Sequence, residues 1–175
     1  MATKKDISKL SNRFRILEKG FKTTIQTTNE ALAKKLEDEI TFNHAVYVAT
    51  LPPNDPQDHS IVVYSEYNTA GDKVLVRAAG NQIIYDEFGT GDKGAANPHP
   101  EKNKYNLNDY NSGPFIREDK YGRHYWFYKN QITNGVPAGA FIYKSLNNVR
   151  RDAPKIIKEK IKKSKDDWIL WVKHY

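Results

Sequence analysis

The stretch IIYDEFGTGDKG, residues 83–94, contains the G-x-G-x-x-G spacing of loops that hold the pyrophosphate of a dinucleotide. That chemistry requires a buried strand before the glycines and a helix after them, because the free N–H groups of the helix bind the phosphates. Here Asp86 and Glu87 precede the glycines and would repel a phosphate. Pro98 and Pro100 disfavour a helix that begins directly after the glycines. The spacing therefore predicts a glycine-rich turn and not a nucleotide site.

The other reactive side chains form no recognisable catalytic or metal site. If Asp86 and Glu87 lie on a strand, their side chains point to opposite faces and cannot act as a carboxylate pair. No two histidines stand at metal-ligand spacing, and the chain has no cysteine. We expect structural or surface roles for the histidines, which are His44, His59, His99, His124 and His174. The sequence thus predicts no catalytic residue, no cofactor and no metal.

One enzymatic alternative stays open in a single aromatic segment. A small basic RNase uses a histidine, a cation and a tyrosine on a sheet for acid–base catalysis and phosphate stabilisation. Arg123, His124, Tyr125 and Lys129 supply those residue types. The same residues also fit an ordinary strand whose rings pack against neighbours.

Positive charge is concentrated at the two ends of the chain. The net charge is +7; residues 150–165 carry eight basic and two acidic side chains, and the first 20 residues carry six and two. This distribution favours contact with a polyanion or with an acidic protein face. The residues expected to make that contact are Arg150, Arg151, Lys155, Lys158, Lys162 and Lys163. A free-standing nucleic-acid-binding module is therefore an alternative function.

Apolar residues at steps of three and four predict a long amphipathic helix at each end of the chain. The first stripe runs from Ile7 to Ile40 and predicts an N-terminal helical arm over residues 1–40. The second lies within residues 136–175, where Pro154 is expected to break or restart the helix.

Three tryptophans are candidates for a partner interface, because large rings near a chain end or in an aromatic strand need burial, either on this chain or on a partner. They are Trp126, Trp168 and Trp171. No apolar run approaches the roughly 20 residues of a membrane helix, so no membrane contact is expected.

Between the helices the pattern changes to that of strands. Core strands are predicted within residues 44–90, over 44–50, 60–67 and 73–79, which are rich in valine, isoleucine and tyrosine. An insertion over residues 91–135 follows, with a polar loop at 91–113 and one aromatic strand at 124–133. The predicted fold class is α+β: a single domain, residues 1–175, with long N- and C-terminal helices packed on a small antiparallel sheet and a long loop-plus-strand insertion.

Two motifs give the chain a family resemblance. Tyr85-Asp86-Glu87-Phe88-Gly89-Thr90-Gly91 resembles the Y-x-E-F-G-T-[GS] signature of a neck and tail-component family of tailed bacteriophages. In that family a P-A-x-P-F-[LIM] segment leads into a long C-terminal helix, and here Val136-Pro137-Ala138-Gly139-Ala140-Phe141-Ile142 takes that place. An amphipathic N-terminal helix before the strands also fits.

The chain departs from the family pattern in three ways. Ala140 stands where proline usually precedes the phenylalanine, and a D-T-G-x-L segment before the first sheet strands is missing. The two motifs are also separated by about 45 residues, where the family has a far shorter link. We expect this insertion to be a lineage-specific extension that contacts a neighbouring ring.

The resemblance implies a structural virion protein with no catalytic activity. Such a protein forms a homo-oligomeric ring in the neck, the head–tail connector or the tail-completion ring. Its expected partners are other copies of itself, the neighbouring head-completion and tail proteins, and the packaged DNA in the channel. Its expected location is the virion neck or upper tail, after assembly in the host cytoplasm.

The motif residues can be given structural roles from stereochemistry alone. Phe88 is expected to bury its ring beneath the sheet, and Gly89 to turn the chain with a positive φ. Thr90 is expected to bond the following backbone, and Glu87 to accept from freed N–H groups at the turn. Phe141 is expected to anchor the start of the last helix.

Overall fold

The computed structural model describes residues 4–53, 55, 57–101, 104, 117–118, 120–122, 124–128, 131–133 and 135–173. The helices are α1 (Lys4–Val48), α2 (Ile83–Phe88), α3 (Gly91–Ala96) and α4 (Phe141–Lys173). The strands are β1 (Val62–Tyr67), β2 (Val74–Ala79), β3 (Arg117–Glu118), β4 (His124–Tyr128) and β5 (Gln131–Thr133). Long terminal helices pack on a small two-stranded antiparallel sheet, as the sequence predicted for the α+β class. No helix in the described ranges is long and apolar enough to cross a membrane.

The chain folds into two compact units, each assembled from segments that are distant in the sequence. The first unit comprises residues 1–36, 65–76 and 149–175, and the second comprises residues 37–64 and 77–148. The core of the second unit contains Ile40, Tyr47, Val136, Ala140 and Phe141, all buried.

Helix α1 is longer than the predicted arm, and the strand predicted at residues 44–50 is wrong. The helix continues to Val48 because the period of buried side chains continues: Ile40, His44 and Tyr47 recur at steps of four and three and all face the core. Valine and tyrosine favour strands only when their surroundings allow it, and here burial on one helical face decides.

In the first unit, α1 and α4 run antiparallel. The Thr24 hydroxyl donates to the Ser164 hydroxyl at 2.7 Å, and the Lys35 ammonium lies 3.1 Å from the Asp152 carboxylate. Numbers rise along one helix as they fall along the other, which defines the direction. The Lys35 partner also holds the pKa of Asp152 below its usual value.

The turn between β1 and β2 is held by α1. The side-chain amide of Gln26 donates to the Ala70 carbonyl at 2.8 Å, and that of Asn29 donates to the Asp72 carbonyl at 2.7 Å. Both acceptors lie in the hairpin loop, so two residues one helical turn apart fix its position. The two strands lie where the alternating sequence predicted them.

Three apolar residues of the predicted stripe are exposed on α1. Phe14, Phe21 and Ile25 have exposed fractions of 62%, 68% and 48%. The periodicity thus predicted the helix, while these three side chains remain accessible to water.

Two further expectations about secondary structure are corrected. Pro154 lies inside α4 without ending it; proline cannot donate to the Arg150 carbonyl, but both residues are exposed, so water can bond that carbonyl. Residues 91–96 form helix α3 within the predicted polar loop. Residues 83–88, for which the sequence left helix or strand open, form a helix. Helix α3 ends before Pro98, which is compatible with the proline constraint.

The aromatic segment forms a hairpin and not one strand. β4 pairs with β5 in antiparallel register, with Trp126 opposite Thr133 and Tyr128 opposite Gln131, and β3 pairs with the other edge of β4. Within the predicted loop at 91–113, residues 102–103 and 105–113 lie outside the described residues.

Helix α4 begins directly after a residue in the left-handed region. Ala140 has φ 48°, and its N–H donates to the Glu87 carbonyl at 3.0 Å. Proline is fixed near φ −65° and has no N–H. The backbone conformation at residue 140 is thus incompatible with proline.

We predict that Ala140→Pro lowers the free energy of unfolding by at least about 3 kcal/mol, because it loses this hydrogen bond and cannot adopt the backbone angle. Urea denaturation measures the change. Ala140→Gly, which keeps the N–H and accepts the positive φ, is the matched control and should stay within about 1 kcal/mol of the parent chain. A proline variant as stable as the glycine variant would contradict the prediction.

Candidate functional site

The two motif segments meet in space despite their separation along the chain. The Thr90 N–H donates to the Val136 carbonyl at 2.8 Å, and the Gly139 N–H donates to the Asp86 carbonyl at 2.7 Å. We call residues 85–91 and 136–143 together the motif junction. Both segments belong to the second unit, and backbone bonds hold them side by side.

Glu87 links the first motif to the helix that follows the second. One carboxylate oxygen accepts from the Ile142 N–H at 2.9 Å, and the other accepts from the Tyr143 N–H at 3.0 Å. These are N–H groups of the first turn of α4, which have no partner within the helix. A carboxylate there also interacts favourably with the positive end of the helix dipole. Glu87 is only 4% exposed, so this bond is made away from water.

His99 completes the set of donors around Glu87. Its Nε2 lies 3.0 Å from Glu87 Oε1, while its Nδ1 accepts from the Glu101 N–H at 3.0 Å. Because Nδ1 accepts, Nε2 must carry the proton that is donated to Glu87. His99 is 4% exposed, and its ring centroid lies 4.6 Å from that of Phe88.

Asp86 points in another direction and is fully buried. Its two carboxylate oxygens lie 2.8 Å and 2.9 Å from His59 Nδ1. The Tyr47 hydroxyl lies 3.4 Å from Asp86 Oδ1 and donates to the Pro137 carbonyl at 3.1 Å. His44 Nε2 lies 3.9 Å from Asp86 Oδ2. The Asp86 carboxylate therefore contacts two side chains of α1, Tyr47 and His44, and His59, which lies just before β1.

Two histidines near Asp86 each have a buried Nε2 atom. Nε2 of His44 and Nε2 of His59 are buried without a hydrogen-bond partner among the described residues. His59 Nε2 lies 3.5 Å from the carboxylate of Asp55, a distance at which a protonated ring forms an ion pair. His59 thus lies between two carboxylates, one on each ring nitrogen.

Burial and the neighbouring Asp86 carboxylate raise the pKa of Tyr47 well above its ordinary value of 10.0. The first cause is loss of water around the phenol, and the second is the negative charge of Asp86. Tyr47 therefore keeps its proton in the folded chain at any pH near neutrality.

Glycine is required at two close approaches in the motif junction. Gly89 has φ 73°, as predicted, and a Cβ there would lie 2.6 Å from the Ala138 backbone nitrogen. A Cβ on Gly139 would lie 2.8 Å from both the Asp86 carbonyl oxygen and the Tyr47 ring. Both distances are too short for a side chain, so larger residues would separate the two motifs.

Phe141 anchors the first turn of α4, as predicted. Phe141 is fully buried. The centroid of its ring lies 4.9 Å from that of His44, in an edge-to-face arrangement, and 6.3 Å from that of Tyr47, in a stacked arrangement. Ser145, one turn later, is also fully buried; its hydroxyl donates to the Phe141 carbonyl at 2.6 Å and accepts from Asn43 at 2.9 Å.

The remaining motif residues have backbone or surface positions. Thr90 precedes α3 without a side-chain bond to that helix; its hydroxyl accepts from the Val136 N–H at 3.1 Å, which corrects the predicted partner. Tyr85 is 40% exposed, and Phe88, Gly91, Pro137 and Ala138 are half-buried. The Phe88 ring is thus only partly covered.

The other predicted residues lie away from the motif segments along the chain, and the structure describes only some of their side chains. Arg150, Arg151, Lys155, Lys158, Lys162 and Lys163 are all exposed on α4. Trp126, Trp168 and Trp171 lie in β4 and α4, and their side chains lie outside what the structure describes. Arg123 and Lys129 lie outside the described residues, as do the side chains of His124 and Tyr125.

At the motif junction Asp86 and Glu87 have hydrogen-bond partners inside the protein. A general acid or base must reach the substrate, and Asp86 and Glu87 are 0% and 4% exposed with their oxygens bonded inside the protein. They lie on a helix and not on a strand, and they serve different partners. Among the described residues, no group of acidic and histidine side chains could hold a metal ion.

Sequence reasoning missed the partners of these carboxylates. His59 and Tyr47 lie far from Asp86 along the chain, and no local spacing connects them. One signal was present: His44 and Tyr47 continue the step of three and four from Ile40, which indicates a buried polar face on α1.

Comparisons with known proteins return nothing: no family model, curated protein or solved structure matches the chain.

We predict that Glu87→Ala lowers the free energy of unfolding by about 3 kcal/mol, because it strands two N–H groups of α4 and the His99 donor. Glu87→Gln should cost about 1–2 kcal/mol, since an amide NH₂ group then faces a backbone N–H. Thermal and urea denaturation measure both. Glu159→Gln, at an exposed position of the same helix, is the control and should change stability by less than about 0.5 kcal/mol. Equal stability of the Glu87→Gln and Glu159→Gln variants would refute the capping role.

We predict that Tyr47 makes the protein less stable at alkaline pH. The folded chain keeps the phenol proton, whereas the unfolded chain releases it near the ordinary pKa of 10.0. Stability from this group is therefore complete below that pH and falls as the pH rises above it, by up to about 1.4 kcal/mol per pH unit. Tyr47→Phe should flatten the alkaline limb of the stability–pH curve relative to Tyr67→Phe, the matched removal of one exposed phenol. Identical limbs for the two variants would show that Tyr47 is not responsible.

Proposed function

We propose that the chain is a structural protein of a tailed-bacteriophage virion. It acts in the neck, as part of the head–tail connector or the tail-completion ring, by docking against other proteins. The observation that carries the proposal is the motif junction: the two segments that resemble the phage family lie together and fix the start of α4. A chance match of two short motifs gives no reason for the two segments to meet.

The roles of the motif residues support the same proposal. Glu87 caps α4, Gly89 permits the close approach of the second motif, and Phe141 fills the core beneath the first turn. These are the tasks of a scaffold that presents a long helix in a set direction. A structural protein needs such a scaffold, because its function depends on where its surfaces lie.

Exposed apolar side chains in both units support assembly with other subunits. In the first unit they include Phe14, Phe21 and Ile25 on α1. In the second unit Phe42 and Val46 on α1 are 65% and 50% exposed, and Val62 and Tyr64 on β1 are 65% and 41% exposed. Apolar surfaces of this kind mark protein interfaces, and repeated head-to-tail contacts between identical chains close into rings.

The partners follow from the location. Copies of the same chain would form the ring, head-completion and tail proteins would lie above and below it, and the packaged DNA would pass through it. The RNase-like alternative has no support in the described residues. The nucleic-acid-binding alternative is supported by the exposed basic residues of α4.

Deleting the gene from the parent phage tests the proposal by electron microscopy of the lysate. We expect DNA-filled heads and finished tails lying apart, or tails that are aberrant at one end, with normal virions restored by the wild-type gene in trans. Intact virions in the deletion lysate would contradict the proposal.

The apolar surface of α1 can be tested in the same complementation assay. Phe14→Ser with Phe21→Ser should fail to restore virions, because it removes two exposed rings from an interface without disturbing the core. Arg15→Ser with Lys22→Ser, at exposed polar positions of the same helix segment, is the matched control and should restore them. Circular dichroism of the purified variants establishes that both remain folded. Equal complementation by both pairs would exclude this surface from the interface.

A further inference from the structure

A regular stripe of five cations lies along one face of α4. Arg151, Lys155, Lys158, Lys162 and Lys165 follow one another at steps of four, three, four and three, and all are exposed. At 100° per residue these steps keep the five side chains within an arc of about 80°, over about 21 Å of helix. We call these five residues the basic stripe.

The basic stripe faces away from the helix that packs against α4. Asp152 and Ser164 bond to α1, and the half-buried residues between them include Ile156 and Lys160. These positions lie roughly opposite the stripe on the helical circumference. The stripe is thus the solvent face of α4 within the first unit.

The composition of the stripe identifies the kind of partner. It contains no acidic residue; Glu159 and Asp166 lie on its flank, about 60–80° from its centre. Four of its five members are lysine, which protein interfaces tend to exclude from their centres, whereas phosphate backbones are bound well by flexible point charges. An acidic protein face would require anchors such as arginine or aromatic rings at the centre.

The nucleic acid is better matched as a duplex than as a single strand. Single strands are held by stacking of bases on aromatic rings, and residues 151–165 contain no aromatic residue. A duplex presents one charge per about 1.7 Å of its axis, so a stripe of about 21 Å faces about a dozen phosphates. We propose that the basic stripe of α4 binds the phosphate backbone of duplex DNA without regard to base sequence.

The proposal refines the set of basic residues predicted from the sequence. Arg151, Lys155, Lys158 and Lys162 belong to the stripe, together with Lys165, while Arg150 and Lys163 lie about 100–120° away on either side. The Nε atom of Arg151 lies 3.5 Å from the Asp152 carboxylate, so this ion pair partly neutralises the charge of Arg151. The four lysines therefore carry most of the expected contact.

The inference rests on the proposed function, because a position in the phage neck would bring the chain close to packaged DNA. It deepens that function by naming the partner of α4. Its test uses only the purified full-length chain. Failure of DNA binding would therefore leave the neck assignment to the deletion lysate, and normal virions in that lysate would leave the DNA-binding result standing.

The test measures binding to a random-sequence duplex of about 30 base pairs at several salt concentrations. Four phosphate contacts predict that affinity falls about 150-fold per bound chain between 50 and 200 mM salt. A single strand of the same length should bind at least several-fold more weakly. Binding that does not depend on salt, no binding at 50 mM salt, or equal binding of the single strand would each overturn the proposal.

A matched pair of double variants locates the contact on the helix. Lys158→Gln with Lys162→Gln removes two charges from the stripe, and Arg150→Gln with Lys163→Gln removes two charges from exposed positions of α4 outside the stripe. Glutamine keeps helix propensity, so both variants should retain the parent circular dichroism. Between 50 and 200 mM salt, the affinity of the stripe variant for DNA should fall only about 12-fold. The affinity of the control variant should fall nearly as much as that of the parent chain, about 150-fold.

Equal effects of the two pairs would overturn the stripe as the site, since they would indicate diffuse attraction by net charge. A stripe variant that binds DNA like the parent chain but fails to complement the deletion phage would also overturn it, in favour of an acidic protein partner.

Discussion

The buried carboxylate of Glu87 at the first turn of α4 is the interaction on which the architecture of the second unit depends. It satisfies two N–H groups of a long helix and accepts from His99 at the same time. The backbone of the same residue holds Ala140, because the N–H of Ala140 bonds the Glu87 carbonyl just before the helix begins. The positive φ of Ala140 is accepted because the surrounding bonds fix the chain on both sides. Direction and start of α4 are thus set by one residue of the first motif.

The neighbouring Asp86 makes a second, separate set of bonds from the same short helix. A helix of six residues is not stable by itself, so α2 exists because its side chains are held from outside. Asp86 binds His59 and Tyr47, while Glu87 binds α4 and His99. Adjacent residues on a helix point about 100° apart, which lets two consecutive carboxylates serve two different parts of the core. The Asp-Glu pair that argues against a phosphate loop in the sequence is the structural centre of the unit.

Prediction from the sequence succeeded where a pattern is local. The strands at 62–67 and 74–79 alternate, Gly89 must turn the chain, and Phe141 follows loop residues and opens a helical repeat. It failed where distant contacts decide. Residues 44–48 have strand-like composition but are helical because Tyr47 meets Asp86. For residues 83–88 the sequence left helix or strand open, and bonds to their carboxylates from elsewhere in the unit favour the helix. The candidate site was predicted through its motifs, and its histidine partners were not, since no spacing in the sequence connects His59 or His99 to the acids they bind.

Buried and exposed residues of this protein have different roles. The buried carboxylates, histidines and rings fix the scaffold, while the exposed apolar residues of α1 and the basic stripe of α4 face potential partners. The proposed function requires that those partners are met at the neck of a phage particle. Gold labelling of a short epitope tag fused to this chain, on purified virions viewed by electron microscopy, locates the chain on the particle. We expect label at the junction of head and tail; virions that contain no tagged chain, or that carry it elsewhere on the particle, would contradict the proposed function.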